Sequence, residues 1–166
     1  MARGSLRRIR SLPAAGSFVS QPVLGKLYSS DILSLSATLQ NAALDAPDGT
    51  SRKVSKLCGS WVEIDVRMDG EVVSDVALRV QACALGQASA AILQERIIGA
   101  SLTELIEARD GLKAMLKEGA EPPSGRFERL AMLAGVRDYP ARHQSTMLAF
   151  EAAVDAIEMG IAKSEV

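Results

Sequence analysis

From residue 29 onward, apolar and polar positions fall into two alternating patterns. Ser29 or Ser30 can cap a helix whose apolar positions run through Ile32, Leu33, Leu35, Leu39 and Ala42. Asp45-Ala-Pro-Asp-Gly-Thr50 then reads as a loop from its turn residues. Val62, Ile64, Val66 and Met68 alternate with Glu63, Asp65 and Arg67, the period-2 pattern of a strand with one buried face. On that reading Trp61 shares the open face with Glu63, Asp65 and Arg67. Asp69-Gly70 signals a hairpin, and Val76, Leu78 and Val80 carry the alternation in the return strand, which ends at Cys83.

Past Leu85 the period changes to that of helices. The stretch Gly86 to Leu93 is rich in small residues, so a helix there can approach its neighbours closely, and Gly99 ends it. Ser101-Leu-Thr-Glu104 fits a capping box, followed by an apolar stripe of Leu102, Leu105, Ile106, Leu112, Met115 and Leu116. Pro122-Pro123 breaks the chain, a short helix is predicted over 127–133, and Pro140 suits the first turn of a long last helix. The fold class is α+β: a small antiparallel sheet of about three strands, with four to five helices packed on one face.

Composition narrows the function classes. The chain has 166 residues and is 48% hydrophobic, enough to fill one core, and residues 26–166 read as a single domain. Nineteen Lys and Arg against twenty Asp and Glu give no support to a nucleic-acid binder, which carries a positive excess. No uncharged apolar stretch approaches the roughly 20 residues that span a bilayer. The charge is uneven. Residues 1–30 hold Arg3, Arg7, Arg8, Arg10 and Lys26 and no acid. Residues 1–25 therefore read as a basic, disordered tail, with an organelle transit peptide as the competing reading of a cytoplasmic protein.

Two cysteines and one histidine carry the candidate chemistry. Two cysteines are too few for a disulfide-built fold, and one histidine excludes a multi-histidine metal site within one chain. Cys58 precedes the first clear strand and Cys83 lies between the return strand and a helix. The start of one hairpin strand and the end of its partner lie side by side, so the thiols can face each other across one end of the sheet. Cys83 also stands near a helix N-terminus, where the dipole favours thiolate. The competing reading is two small buried hydrophobes. His143 reads as a surface or capping residue, and Arg142 as surface cover.

Four segments in order resemble the U-type iron–sulfur cluster scaffold family, whose branches are IscU, SufU and the N-terminal domain of NifU. They are Leu27 to Leu33 with its Tyr28, Cys58-Gly59 before an alternating strand, Ala82-Cys83-Ala84-Leu85-Gly86-Gln87-Ala88-Ser89, and Gly135-Val136-Arg137-Asp138-Tyr139-Pro140-Ala141-Arg142. The sequence departs from the pattern at the chemistry. Ser145 stands at the third family cysteine, Ser60 replaces the aspartate after the first, and Gln144 holds the place of the IscU-branch histidine. His143 is one position off, about 100° around a helix. The Leu-Pro-Pro-Val-Lys chaperone motif is absent, and the segment Gly119 to Arg129 is similar to the SufU-branch insertion.

The resemblance implies a non-enzymatic scaffold or carrier. It would receive sulfur or a nascent cluster from a cysteine desulfurase and pass it to acceptor proteins. Cys58 and Cys83 would be the metal- or cluster-binding residues, with Ser60, His143 and Ser145 lining the site. The implied cargo is a transient [2Fe–2S] cluster, or zinc, or neither given Ser145. A homodimer would supply four thiolates. Two alternatives follow from the same residues: a degenerate binding module that keeps the fold without the chemistry, and a zinc-dependent sulfur-transfer accessory protein.

Overall fold

The computed structural model describes residues 27–165; the expectations for residues 1–25 lie outside them. Helix α1 spans Ser30–Ala37, with the Ser29 hydroxyl accepting from the Ile32 N–H as its N-cap. It stops one turn before the expected Ala42, where the chain turns to run beside the sheet. Ala42 N–H donates to Leu78 O, and the Asn41 side chain accepts from Val80 N–H.

Three antiparallel strands follow in the order β1 (Gly49–Val54), β2 (Trp61–Asp69) and β3 (Val72–Gln81). Val62, Ile64 and Val66 oppose Val80, Leu78 and Val76, so one face of the sheet is aliphatic. Gly70, at φ +64°, supplies the left-handed residue of the β2–β3 turn. Strand β1 includes Gly49 and Thr50, which the turn signals assign to a loop. It pairs along β2 from Gly49↔Val66 to Val54↔Trp61.

The open face also differs from expectation. Asp65 is buried, because the segment after α1 folds over it. Its carboxylate accepts from both terminal nitrogens of the Arg79 guanidinium at 2.9 Å, from Leu44 N–H at 3.0 Å and from the Thr50 hydroxyl at 2.9 Å. Trp61 is half-buried, with the Arg52 guanidinium 4.1 Å from its ring centre.

The helices cover the aliphatic face. Helix α2 is Ala84–Arg96 and α3 is Leu102–Glu118, the latter started by the full Ser101–Glu104 capping box. The return strand β3 thus ends at Gln81 rather than Cys83, and Cys83 is the α2 N-cap residue. Residues Gly125–Asp138 form a 3-10 segment kinked at Phe127 (φ −106°, ψ 31°), longer than the short helix expected over 127–133. Pro140–Arg142 form a separate 3-10 turn, so Pro140 precedes the last helix, α4 (His143–Ser164), rather than opening it. Helix α4 is central, packing against β1, β2, α2 and α3. Phe150 lies in the core, edge-on to Phe127 at 5.4 Å. Close approach depends on glycine: a Cβ on Gly49 would sit 1.9 Å from Ala156 O of α4.

Candidate functional site

One end of the sheet collects the residues of interest. The β1–β2 connection is a tight turn, closed by Ser55 N–H to Ser60 O at 2.7 Å and Gly59 N–H to Ser55 O at 2.9 Å. Gly59, at φ +75°, takes the left-handed position after Cys58. The turn holds Cys58 out at the surface. At the same end, Trp61 pairs with Gln81, and the chain leaving β3 brings Cys83 to the start of α2.

Hydroxyls surround the Cys58 sulfur. Its Sγ lies 3.0 Å from Ser60 Oγ and 3.4 Å from Ser55 Oγ. The Ser55 and Ser60 side chains, in that order, together with the Ser60 backbone N–H, stabilise the thiolate. They outweigh burial, the Arg142 charge adds to them, and the pKa falls from 9.0 to about 7. The helix-start argument singles out Cys83, and the structure adds a hydroxyl-rich setting at Cys58. Ser55 was missed. It is a buried serine in a lysine-bearing turn, and nothing in its local sequence marks it.

The first turn of α4 contacts Cys83 and the serine beside Cys58. Ser55 Oγ donates to Gln144 Oε1 at 2.8 Å, and the next residue, Ser145, has its Oγ 3.7 Å from Cys83 Sγ. Ser145 and Ser60 are both buried, and the Ser145 hydroxyl donates to Arg142 O at 3.2 Å. His143 is buried rather than at the surface, and its Nε2 faces Val136 O and Arg137 O, each at 3.1 Å. Two carbonyls at one ring nitrogen require a proton there, so Nε2 is a donor and is committed to the 3-10 segment. The structure thus pairs Cys58 with Ser60 and Cys83 with Ser145 at the same end of the sheet, and turns His143 Nε2 away toward backbone.

The donor set is thiol and hydroxyl. Among the described residues, no group of three His, Cys, Asp or Glu side chains is placed to hold a metal ion. A groove of about 510 Å³ runs beside the Cys58 turn, lined by Lys56, Leu57, Lys113, Lys117, Met147 and Glu151 among others. A larger cavity, about 620 Å³, lies between α1, α2 and the 3-10 segment and touches neither cysteine. Among the described residues no helix is long and apolar enough to cross a membrane.

Residues 28–146 match the family described as NifU-like N terminal domain. The chain is similar to the iron–sulfur cluster assembly scaffold protein IscU of Streptococcus pyogenes serotype M1, with 27% identity over 61% of this chain and 64% of that protein, a little under two thirds of its length. It is also similar to the zinc-dependent sulfurtransferase SufU of Bacillus subtilis strain 168, 25% identical over 65% of this chain and 71% of that protein. Among solved structures, the N-terminal part of a nitrogen-fixing NifU-like protein from Brucella abortus superposes with a TM-score of 0.81. It is 41% identical, covering 85% of this chain and 98% of that one.

Proposed function

The chain belongs to the NifU-like N terminal domain family, and from that premise we propose that it works as an iron–sulfur cluster assembly scaffold. It accepts sulfur on Cys58 from a cysteine desulfurase and passes sulfur or a nascent cluster to acceptor proteins. One observation carries this reading. Cys58 is presented at the surface on a hydrogen-bonded turn, with the Ser55 and Ser60 hydroxyls and the Ser60 backbone N–H around its sulfur, a setting that lowers its pKa toward neutrality. A thiolate is the species that attacks sulfane sulfur, and surface exposure gives a donor protein access to it. On this reading the chain acts as a sulfur carrier, with sulfur entering and leaving at Cys58.

The cargo sets a second requirement. A cluster takes four ligands, usually thiolates, and zinc takes four in tetrahedral array. One chain offers Cys58 and Cys83, and the Ser60 and Ser145 hydroxyls stay protonated near neutral pH. A single chain therefore does not fit either group. Two chains, each giving two thiolates, fit a [2Fe–2S] cargo.

The test is sulfur loading. Incubation with a cysteine desulfurase and free cysteine should add one sulfur atom to Cys58, seen by mass spectrometry of the alkylated peptide. Cys58→Ser should abolish it, and an unmodified Cys58 in the native chain would refute the assignment. The replacements at Ser60 and Ser145 favour a second reading, a binding module without the chemistry. In that case a Cys58→Ala, Cys83→Ala double variant keeps the cellular role.

A further inference from the structure

Positive charge is placed against the trend of the chain. Residues 31–166 carry 14 Lys and Arg against 20 Asp and Glu, so the body is acidic. Seven of those cations meet a carboxylate, and Arg52 lies over the Trp61 ring. Among the described residues six cations are left without such a partner, and they are not scattered. Lys56, Lys113 and Lys117 line the groove of about 510 Å³ beside the Cys58 turn. Arg142 is near enough to Cys58 to favour its thiolate, and Arg137 Nη1 would stand 3.3 Å from a Cβ on Gly119, at the end of α3. The sixth, Arg96, is in the last turn of α2, close to where Gly99 N–H meets Val73 O at the opposite end of β3.

The arrangement has a cost within the fold. Lys113 and Lys117 are four residues apart on one face of α3, and like charges at that spacing repel. The β1–β2 turn adds Lys56 to the same groove. Glu151 of α4 is the one acid lining it, and the charge of Glu151 also acts on Lys53 of β1. Leu57, Pro140 and Met147 make the apolar part of the lining. An apolar groove rimmed by unpaired lysines complements a chain that carries acids beside an apolar side chain. A nucleic-acid backbone would gain nothing from the apolar lining and would meet Glu151.

We propose that this groove docks an acidic segment of a partner protein, with carboxylates on Lys56, Lys113 and Lys117 and an apolar side chain against Leu57, Pro140 and Met147. Lys56 and Leu57 immediately precede Cys58, so a seated partner stands beside the exposed thiol. The use of that placement rests on the reading of Cys58 as the sulfur acceptor, whereas the docking itself does not. The acidic remainder of the body repels such a partner, and the lysines steer it to this end. Docking occupies Leu57, so it belongs to the single chain, before two chains pair over a cluster.

The experiment titrates the full chain with a short fluorescein-labelled peptide in which Leu alternates with Glu, followed by anisotropy. The Leu–Glu peptide should bind, a Leu–Gln peptide should not, and affinity should fall as added salt screens the lysines. Lys113→Glu combined with Lys117→Glu should weaken binding at least about tenfold. The milder pair Lys113→Gln and Lys117→Gln should fall between that variant and the native chain. Arg96→Glu, which changes net charge at the other end, should leave binding unaltered. Saturating peptide should slow alkylation of Cys58 and leave that of Cys83 alone. Equal binding of the Leu–Gln peptide, undiminished binding by both double variants, or equal displacement by inorganic polyphosphate and unlabelled peptide would each overturn the inference. So would a doubled mass of the metal-free chain that the double variants abolish, which would assign the groove to a second copy. A chain that docks the peptide but takes no sulfur on Cys58 would overturn the functional reading and leave the docking site standing.

Discussion

Cys58 owes its reactivity to hydroxyl groups that must reorient to serve it. Ser55 has one proton, and in the structure that proton goes to Gln144 Oε1. For Ser55 to support the thiolate, its hydroxyl must turn to Sγ while the Gln144 amide presents its NH₂ group to Ser55 Oγ. Alkylation of Cys58 by iodoacetamide should accordingly rise with pH through a midpoint near 7, not 9. Ser55→Ala should move that midpoint upward. Gln144→Glu, which can only accept, should do the same by keeping the Ser55 proton, and an unchanged midpoint in both variants would refute the relay. Asp65 is the other residue whose surroundings decide its behaviour. Burial pushes its carboxyl up, but Arg79, the Leu44 N–H and the Thr50 hydroxyl together hold it below the usual carboxylate value. A depressed value means that its stabilisation is present above pH 3.8 and is lost as pH falls through the folded-state pKa. Asp65→Ala should cost roughly 3 kcal/mol, the low end for breaking a buried pair because Arg79 keeps some solvent, and thermal melting reads this directly. The alternation in the sequence put Asp65 on an open face. It could not show that residues 41–44 fold over that face, because the groups that meet Asp65 and Arg79 there, Leu44 N–H and Ala42 O, are backbone and carry no sequence signal.

Elements with strong local chemistry were legible, and those made by packing were not. The Ser101–Glu104 capping box needs two side chains three residues apart, and it forms as read, with Ser101 Oγ accepting from Glu104 N–H and the Glu104 carboxylate accepting from Ser101 N–H. Ser101→Ala should therefore cost about 1 kcal/mol and lower the melting temperature by several degrees. Strand β1 is the opposite case. Its sequence, Gly-Thr-Ser-Arg-Lys-Val, has no apolar alternation. It is a strand because β2 offers it a free edge and because Gly49 lets it close on α4. The same dependence on a small residue positions the site. A Cβ on Gly86 of α2 would stand 2.8 Å from the Ala82 Cβ and 3.1 Å from Ser145 O of α4. Gly86→Ala should force the two helices apart at the point where Ser145 meets Cys83. The expected cost is about 1–3 kcal/mol, with faster alkylation of Cys83. Unaltered stability and alkylation would show that the contact yields without moving the site.

Taken as one object, the protein presents its two thiols at a single end of the sheet, and their number decides what it can hold. The cysteine motifs were legible in the sequence because family-specific residues flank them. The α4 contacts beside them were not, since Ser55, Gln144 and Ser145 are ordinary polar residues until β1 and α4 bring them together. Four thiolates require two chains, and each chain has exposed apolar residues beside Cys58 for such a contact: Leu57 at 72% and Val54 at 49% exposure. Anaerobic reconstitution with iron and sulfide should therefore give a coloured species with one [2Fe–2S] cluster per pair of chains, and a light-scattering mass twice that of the chain. Leu57→Asp should leave the fold intact while preventing both the colour and the doubled mass, because it places an unpaired charge in the contact, and it should raise the Cys58 alkylation midpoint, because a neighbouring carboxylate opposes the thiolate. A chain that binds iron as a monomer, or stays colourless, would refute the two-chain site. The sulfur-loading result on Cys58 would stand independently, because that chemistry needs only one thiolate and its hydroxyls.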